Sequence, residues 1–195
     1  MKKFEEALLK LNNKLEKDGI YLDMIVVGGS VLEYNEIRAT IDIDAFYKTN
    51  QTINDYIYEI GEELNLNSED EIWLNNSVTS MNKKPSLEIC ELIYDFSNLK
   101  IYIPPLKYVM GMKLESMREQ DIEDVAEIIK LLEIKDVKEI ETELKKYNFN
   151  FDESVLLEAF SIAYGLEWLE NYYLNIEKNI IKKEPLNNKY KGISR

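Results

Sequence analysis

The sequence predicts an α+β fold, with a mixed β-sheet and flanking helices in the first half and helices alone in the second. Three observations carry this. Short apolar runs with strand character, Met24-Ile25-Val26-Val27 and Leu99-Lys100-Ile101-Tyr102-Ile103, lie before Pro104-Pro105. Helical spacing is interleaved with them. Beyond the two prolines, the periodic segments are helical to near the end of the chain.

The elements follow in order. Met1 to Lys17 has an amphipathic helix pattern built on Phe4, Leu8, Leu11 and Leu15. Met24–Val27 reads as a buried strand. Gly28-Gly29 breaks it, and Ser30 is expected to cap a short helix from Val31 to Glu36. Arg38 to Tyr47 alternates as a strand, with Arg38, Thr40, Asp42 and Asp44 on one face and Ile41, Ile43, Ala45 and Tyr47 on the other. Ile53, Tyr56, Ile57, Ile60 and Leu64 mark a helix, and Asn65 to Glu69 a turn. Ile72 to Val78 is a short apolar patch expected to be helical, and Met81 to Pro85 a loop. Leu87 to Tyr94 and Leu99 to Ile103 read as strands. Residues 1–105 are thus expected to form an α/β core, 106–183 a helical part of the same compact unit, and 184–195 a basic, flexible tail.

Composition narrows the chemistry. In 195 residues, 45% hydrophobic and 31% charged, no apolar run approaches the length of a membrane span, so no membrane partner is expected. The first residues lack the apolar core of a signal peptide, and a single cysteine, Cys90, leaves no intrachain disulfide; the chain reads as cytoplasmic. Cys90 lies in an apolar stretch and is read as packing. The absence of histidine excludes Ser-His-Asp and Cys-His sites and histidine-ligated zinc. A metal here would take oxygen ligands, which points to Mg²⁺ or Mn²⁺. The net charge of −13 argues against sequence-blind binding of nucleic acid. Residues 177 to 195, however, hold six basic residues against two acidic ones. That segment is read as a solvated tail or as a contact for RNA or an acidic partner.

The stretch that carries chemistry is Val27-Gly28-Gly29-Ser30 followed by Asp42-Ile43-Asp44. Glycines let a backbone approach a phosphate closely. Two acids on one strand face repel, so a fold gains by placing them together only where a cation or basic partner compensates. The arrangement suits metal-assisted nucleotide transfer, in which hard cations bridge carboxylate and phosphate oxygens.

A second constellation, Lys113, Arg118, Asp121 and Asp124, lies between Leu106 and Leu132. On one straight helix Lys113 and Asp124 would stand about 16 Å apart along the axis. A break near Met117–Gln120 would fold two helices together and let them meet, with Asp121 as the new N-cap and Asp124 as its third residue. Lys113, among Val109, Met110, Met112 and Leu114, either snorkels or faces a pocket holding a counter-charge.

Together, Val27-Gly28-Gly29-Ser30, the run Arg38 to Asp44, and Met112-Lys113-Leu114 with Arg118, Asp121 and Asp124 resemble the nucleotidyltransferase superfamily of DNA polymerase beta-like fold. Within it the chain is similar to the AbiEii/MenT-like toxin branch and its uncharacterised relatives, and Trp73-Leu74-Asn75-Asn76 looks like a segment of those relatives. The resemblance implies a metal-dependent transfer of NMP from an NTP to an acceptor: a tRNA 3′ end, a protein or a small molecule. A cognate antitoxin protein would then be a partner. It implies Asp42 and Asp44 as metal ligands, and Gly28, Gly29, Ser30 and Arg38 at the nucleotide. Lys113 would sit at the triphosphate, and Asp121 would complete the acidic site. A third carboxylate on a later strand is expected from Glu88, Glu91 or Asp95, or else Asp124. An antibiotic-type transferase and a nucleotide-binding regulator of the same fold are the alternatives.

Overall fold

The structure, a computed structural model, describes residues 1–69, 71–81 and 83–183. The expected tail at 184–195 lies outside the described residues. Among them, no helix is long and apolar enough to cross a membrane.

Helix α1 (Glu5–Lys17) buries Leu8, Leu11 and Leu15, and Phe4 just before it is also buried. Strand β1 (Leu22–Val27) is the central strand of a five-stranded sheet. The short α2 (Gly29–Tyr34) follows, then β2 (Ile43–Phe46), α3 (Gln51–Glu63) and the two-residue β3 (Leu74–Asn75). Strands β4 (Glu91–Asp95) and β5 (Leu99–Ile103) complete the sheet in the order β3-β2-β1-β5-β4. Pairing is mixed: β1 with β2 and β4 with β5 are antiparallel, while β1 with β5 and β2 with β3 are parallel.

Helices follow Pro105: α4 (Leu106–Ser116), α5 (Glu119–Leu131), α6 (Val137–Lys146), α7 (Glu153–Tyr164) and α8 (Leu166–Lys183). Helix α5 packs against both α4 and α7, and α2 touches α4, which brings the first glycine turn against the helical half. Gly111 lets Phe149 lie on α4; a Cβ there would come within 2.2 Å of the Phe149 ring. One apolar cluster runs from Phe4 through the sheet to Phe160.

Two buried polar groups tie distant segments. Asn12 of α1 accepts the Asn98 backbone N–H at 2.9 Å and so holds the β4–β5 turn. The indole of Trp73 donates to the Ile57 carbonyl at 2.7 Å, fixing the approach to β3 under α3.

Several local expectations are corrected. Arg38 to Asp42 is loop, and the strand begins only at Ile43. The ladder explains this: β2 gains its first neighbour where Ile43 meets Leu74. Upstream the chain is instead pinned by side chains, with Lys3 donating to the Thr40 carbonyl. The patch at 72–78 is not a helix but the strand β3, followed by a 3₁₀ turn, Ser77–Met81. Residues 87–89 form a 3₁₀ turn capped by Ser86, so β4 starts at Glu91. Cys90 is half-buried, and burial pushes its thiol up to about 11.

Candidate active site

The site is built where β1 ends. Val27 is in register with Asp44 of β2, and the chain then leaves the sheet through Gly28 at φ 63°. That left-handed turn favours glycine. It also brings the backbone close to Asp44, whose Oδ2 would lie 3.2 Å from a Cβ at Gly28. Gly29 is equally constrained: a Cβ would sit 2.8 Å from Thr40 Oγ1. Helix α2 begins at Gly29 with Gly28 as its cap, so Ser30 is not the cap expected from the sequence. Its buried hydroxyl instead donates to the Asp42 carbonyl at 2.8 Å and holds the loop that presents Asp42.

The two acids lie together on the wall of a cavity of about 730 Å³. This falls within the usual range for small-molecule sites. Asp42 accepts from Thr40 Oγ1 and from the Asn75 amide, each at 3.2 Å. Burial and the adjacent charge of Asp42 push the Asp44 carboxyl above its ordinary value, against the pull of the Asn75 amide and of Arg118. An acid pair held this way, beside a glycine turn with no side chain to fill the space, fits an oxygen-loving divalent cation whose remaining ligands come from phosphate and water. Among the described residues no group of three or more acidic, cysteine or histidine side chains forms a complete metal cage.

The helical half supplies the opposite wall. Met117 ends α4 in the left-handed conformation at φ 53°, and Arg118, in extended conformation, is the N-cap of α5. The expected break is therefore present, but the helix starts earlier than Asp121, which falls in its first turn. The fold-back brings Lys113 Nζ to 2.6 Å from both Asp121 Oδ1 and Asp124 Oδ2. Ser116 donates to the other oxygen of Asp121. Arg38 closes the cluster with a forked contact to Asp124, Nε at 2.6 Å and Nη2 at 2.9 Å. Burial alone would raise the Asp124 carboxyl, but the Arg38 and Lys113 hydrogen bonds outweigh it and hold the group below its ordinary value. The same contact with Asp124 raises Arg38. Lys113 is thus buried and paired, not snorkelling.

Of the residues expected at the site, Gly28, Gly29, Arg38, Asp42, Asp44, Lys113 and Asp121 all line the cavity, while Ser30 stands behind it. Glu88, Glu91 and Asp95 do not come near: they are exposed in or beside β4, at the opposite edge of the sheet from β2 and β3. Asp124 is committed to Arg38 and Lys113. The strand beside β2 presents Asn75, and the remaining acid on the cavity wall is Glu71. Sequence reasoning missed both. The only signal was the segment Trp73 to Asn76, noted for its resemblance but read as helix.

No curated protein and no solved structure shows a significant match to the chain. Residues 3–171, which span the glycine turn, the acid pair and the Lys113–Asp124 cluster, match a family described as nucleotidyltransferase of unknown function (DUF6036), and the chain belongs to that family.

Proposed function

We propose that the protein transfers a nucleoside monophosphate from an NTP to an acceptor, using Mg²⁺ or Mn²⁺ held by Asp42 and Asp44. The observation that carries this is the pairing of those two carboxylates on one cavity wall beside the Gly28-Gly29 turn. The acceptor oxygen bonds to the α-phosphorus, the bridging bond to the β-phosphate breaks, pyrophosphate leaves, and the acceptor proton passes to a carboxylate of the cavity or to water. The bound cation would neutralise phosphate charge and ease ionisation of the acceptor. The chain's own contribution is positioning: Gly28 and Gly29 admit the phosphates, Ser30 fixes the Asp42 loop, and Arg38, Lys113, Asp121 and Asp124 hold the two walls together.

A tRNA 3′ end, a protein and a small molecule are the acceptor classes in view. The resemblance to toxins favours the first two, with a cognate antitoxin as partner. A regulatory, catalytically weak nucleotide binder is the second reading, and it rests on Asn75, an amide where a third acid would complete the cation site. Incubation with each α-³²P-labelled NTP, Mg²⁺ or Mn²⁺, and cellular RNA, cell protein or aminoglycosides tests the choice. Label should move to one acceptor class and be lost in Asp42→Ala. Metal-dependent nucleotide binding with no label on any acceptor would overturn the transferase reading in favour of the second.

A further inference from the structure

Three cations line the cavity: Arg38, Lys113 and Arg118. The first two are already spent. The Arg38 fork is closed on Asp124, with Nη1 on the Ala39 carbonyl at 3.1 Å. The Lys113 ammonium divides itself between two aspartates at 2.6 Å. Both would have to surrender buried partners to grip a ligand, leaving Asp124 charged and unpaired. Arg118 differs. Its carbonyl accepts the first N–H bonds of α5, but its exposed guanidinium makes no hydrogen bond or ion pair with any described residue. It also stands close enough to Asp44 to act on its charge.

Its placement is held by backbone geometry. Met117, the residue before it, has φ 53°, a conformation that non-glycine residues adopt at a cost. That turn directs the chain from α4 into α5 and sets the exposed Arg118 on the cavity lining.

We propose that Arg118 is the residue that binds the β- and γ-phosphates of the incoming NTP, while Lys113 and Arg38 are positioning residues that do not contact them. This rests on the NTP-binding reading above. A triphosphate held at its α-phosphate near Asp42 and Asp44 extends two further charged groups along the cavity, and Arg118 is the cation of its lining whose side chain no described residue engages. The guanidinium fork suits two phosphate oxygens at once.

The test is calorimetric binding with Mg²⁺ of each of the four NTPs, and of the NMP of whichever binds, to the parent, Arg118→Gln, Arg118→Lys and Lys113→Met. Arg118→Gln should weaken NTP binding about tenfold, the scale of one charge-assisted contact, and leave NMP binding within about twofold. Arg118→Lys should recover part of the loss. Lys113→Met should change NTP and NMP binding in the same proportion. An unchanged ratio of NTP to NMP affinity in Arg118→Gln, with the parent binding NTP, overturns the assignment alone. A parent that binds no NTP overturns the underlying reading and this assignment with it.

Discussion

Asn75 stands in register with Asp44 across the β2–β3 ladder and donates its amide to Asp42 at 3.2 Å. The neighbouring strand therefore offers the acid pair a hydrogen-bond donor and no third negative charge. That donor offsets part of the repulsion between the two carboxylates and, on the proposed reading, adds no charge toward a cation.

Asn75→Asp should reverse both effects. The metal-free protein loses a donor to Asp42 and gains a third like charge, at a cost of about 2 kcal/mol. Divalent cation affinity should rise. Thermal melting with and without Mg²⁺ measures both, and the gap between the two curves should be wider in the variant than in the parent.

Asp44 has a folded-state pKa above its unfolded value, so its ionisation opposes folding once pH rises through that folded value. Asp44→Asn should therefore melt higher than the metal-free parent at neutral pH, and the two should converge in acid, where the parent carboxyl is already protonated. Cation binding runs the other way. It should weaken as pH falls through the raised pKa, at a higher pH than an ordinary aspartate would give. Mn²⁺ titration across that range checks the sign.

Asp124 behaves oppositely. Its folded pKa lies below the unfolded value, so its contribution is present above the unfolded value and is lost as pH falls through the folded one. Asp124→Asn should cost about 3 kcal/mol at neutral pH, because Arg38 loses its carboxylate partner and the buried Lys113 keeps only Asp121. Denaturant unfolding at descending pH should show the difference from the parent shrinking in strong acid. Lys113→Met should cost a similar amount, since it leaves Asp121 with only the Ser116 hydroxyl and Asp124 with only Arg38.

Gly111→Ala should destabilise by about 1–3 kcal/mol, because the new methyl meets the Phe149 ring at 2.2 Å inside a packed contact. Phe149→Leu in the same chain should recover part of the loss. A double-mutant cycle on melting data with zero coupling would refute the contact.

The glycine turn, the nearness of the two acids and the helix break were legible from local chemistry, in backbone freedom and carboxylates two residues apart. Asp42 nevertheless lies in a loop and not on the strand face, and Arg118, not Asp121, is the cap. What escaped was set by pairing. Alternation from Arg38 to Asp42 looks like a strand, yet no neighbouring strand reaches those residues, and Thr40 turns to Gly29 and Asp42 instead. The two-residue β3 is too short to alternate, so Asn75 carried no strand signal. Glu88, Glu91 and Asp95 were plausible acids until strand order set β4 at the far edge. Sheet order is a property of the whole chain, and local patterns do not encode it.

The fork between Arg38 and Asp124 joins residues 86 positions apart. Lys113 reaches the same carboxylate from only 11 residues away, inside the α4–α5 hairpin. The two contacts thus differ in what they need: the hairpin alone suffices for the lysine, whereas the fork needs the sheet half and the helical half in place together. The acid-bearing loop is latched to the helical wall through that fork. An N-terminal fragment that stops short of α5 would carry both Asp42 and Asp44 and still have no site.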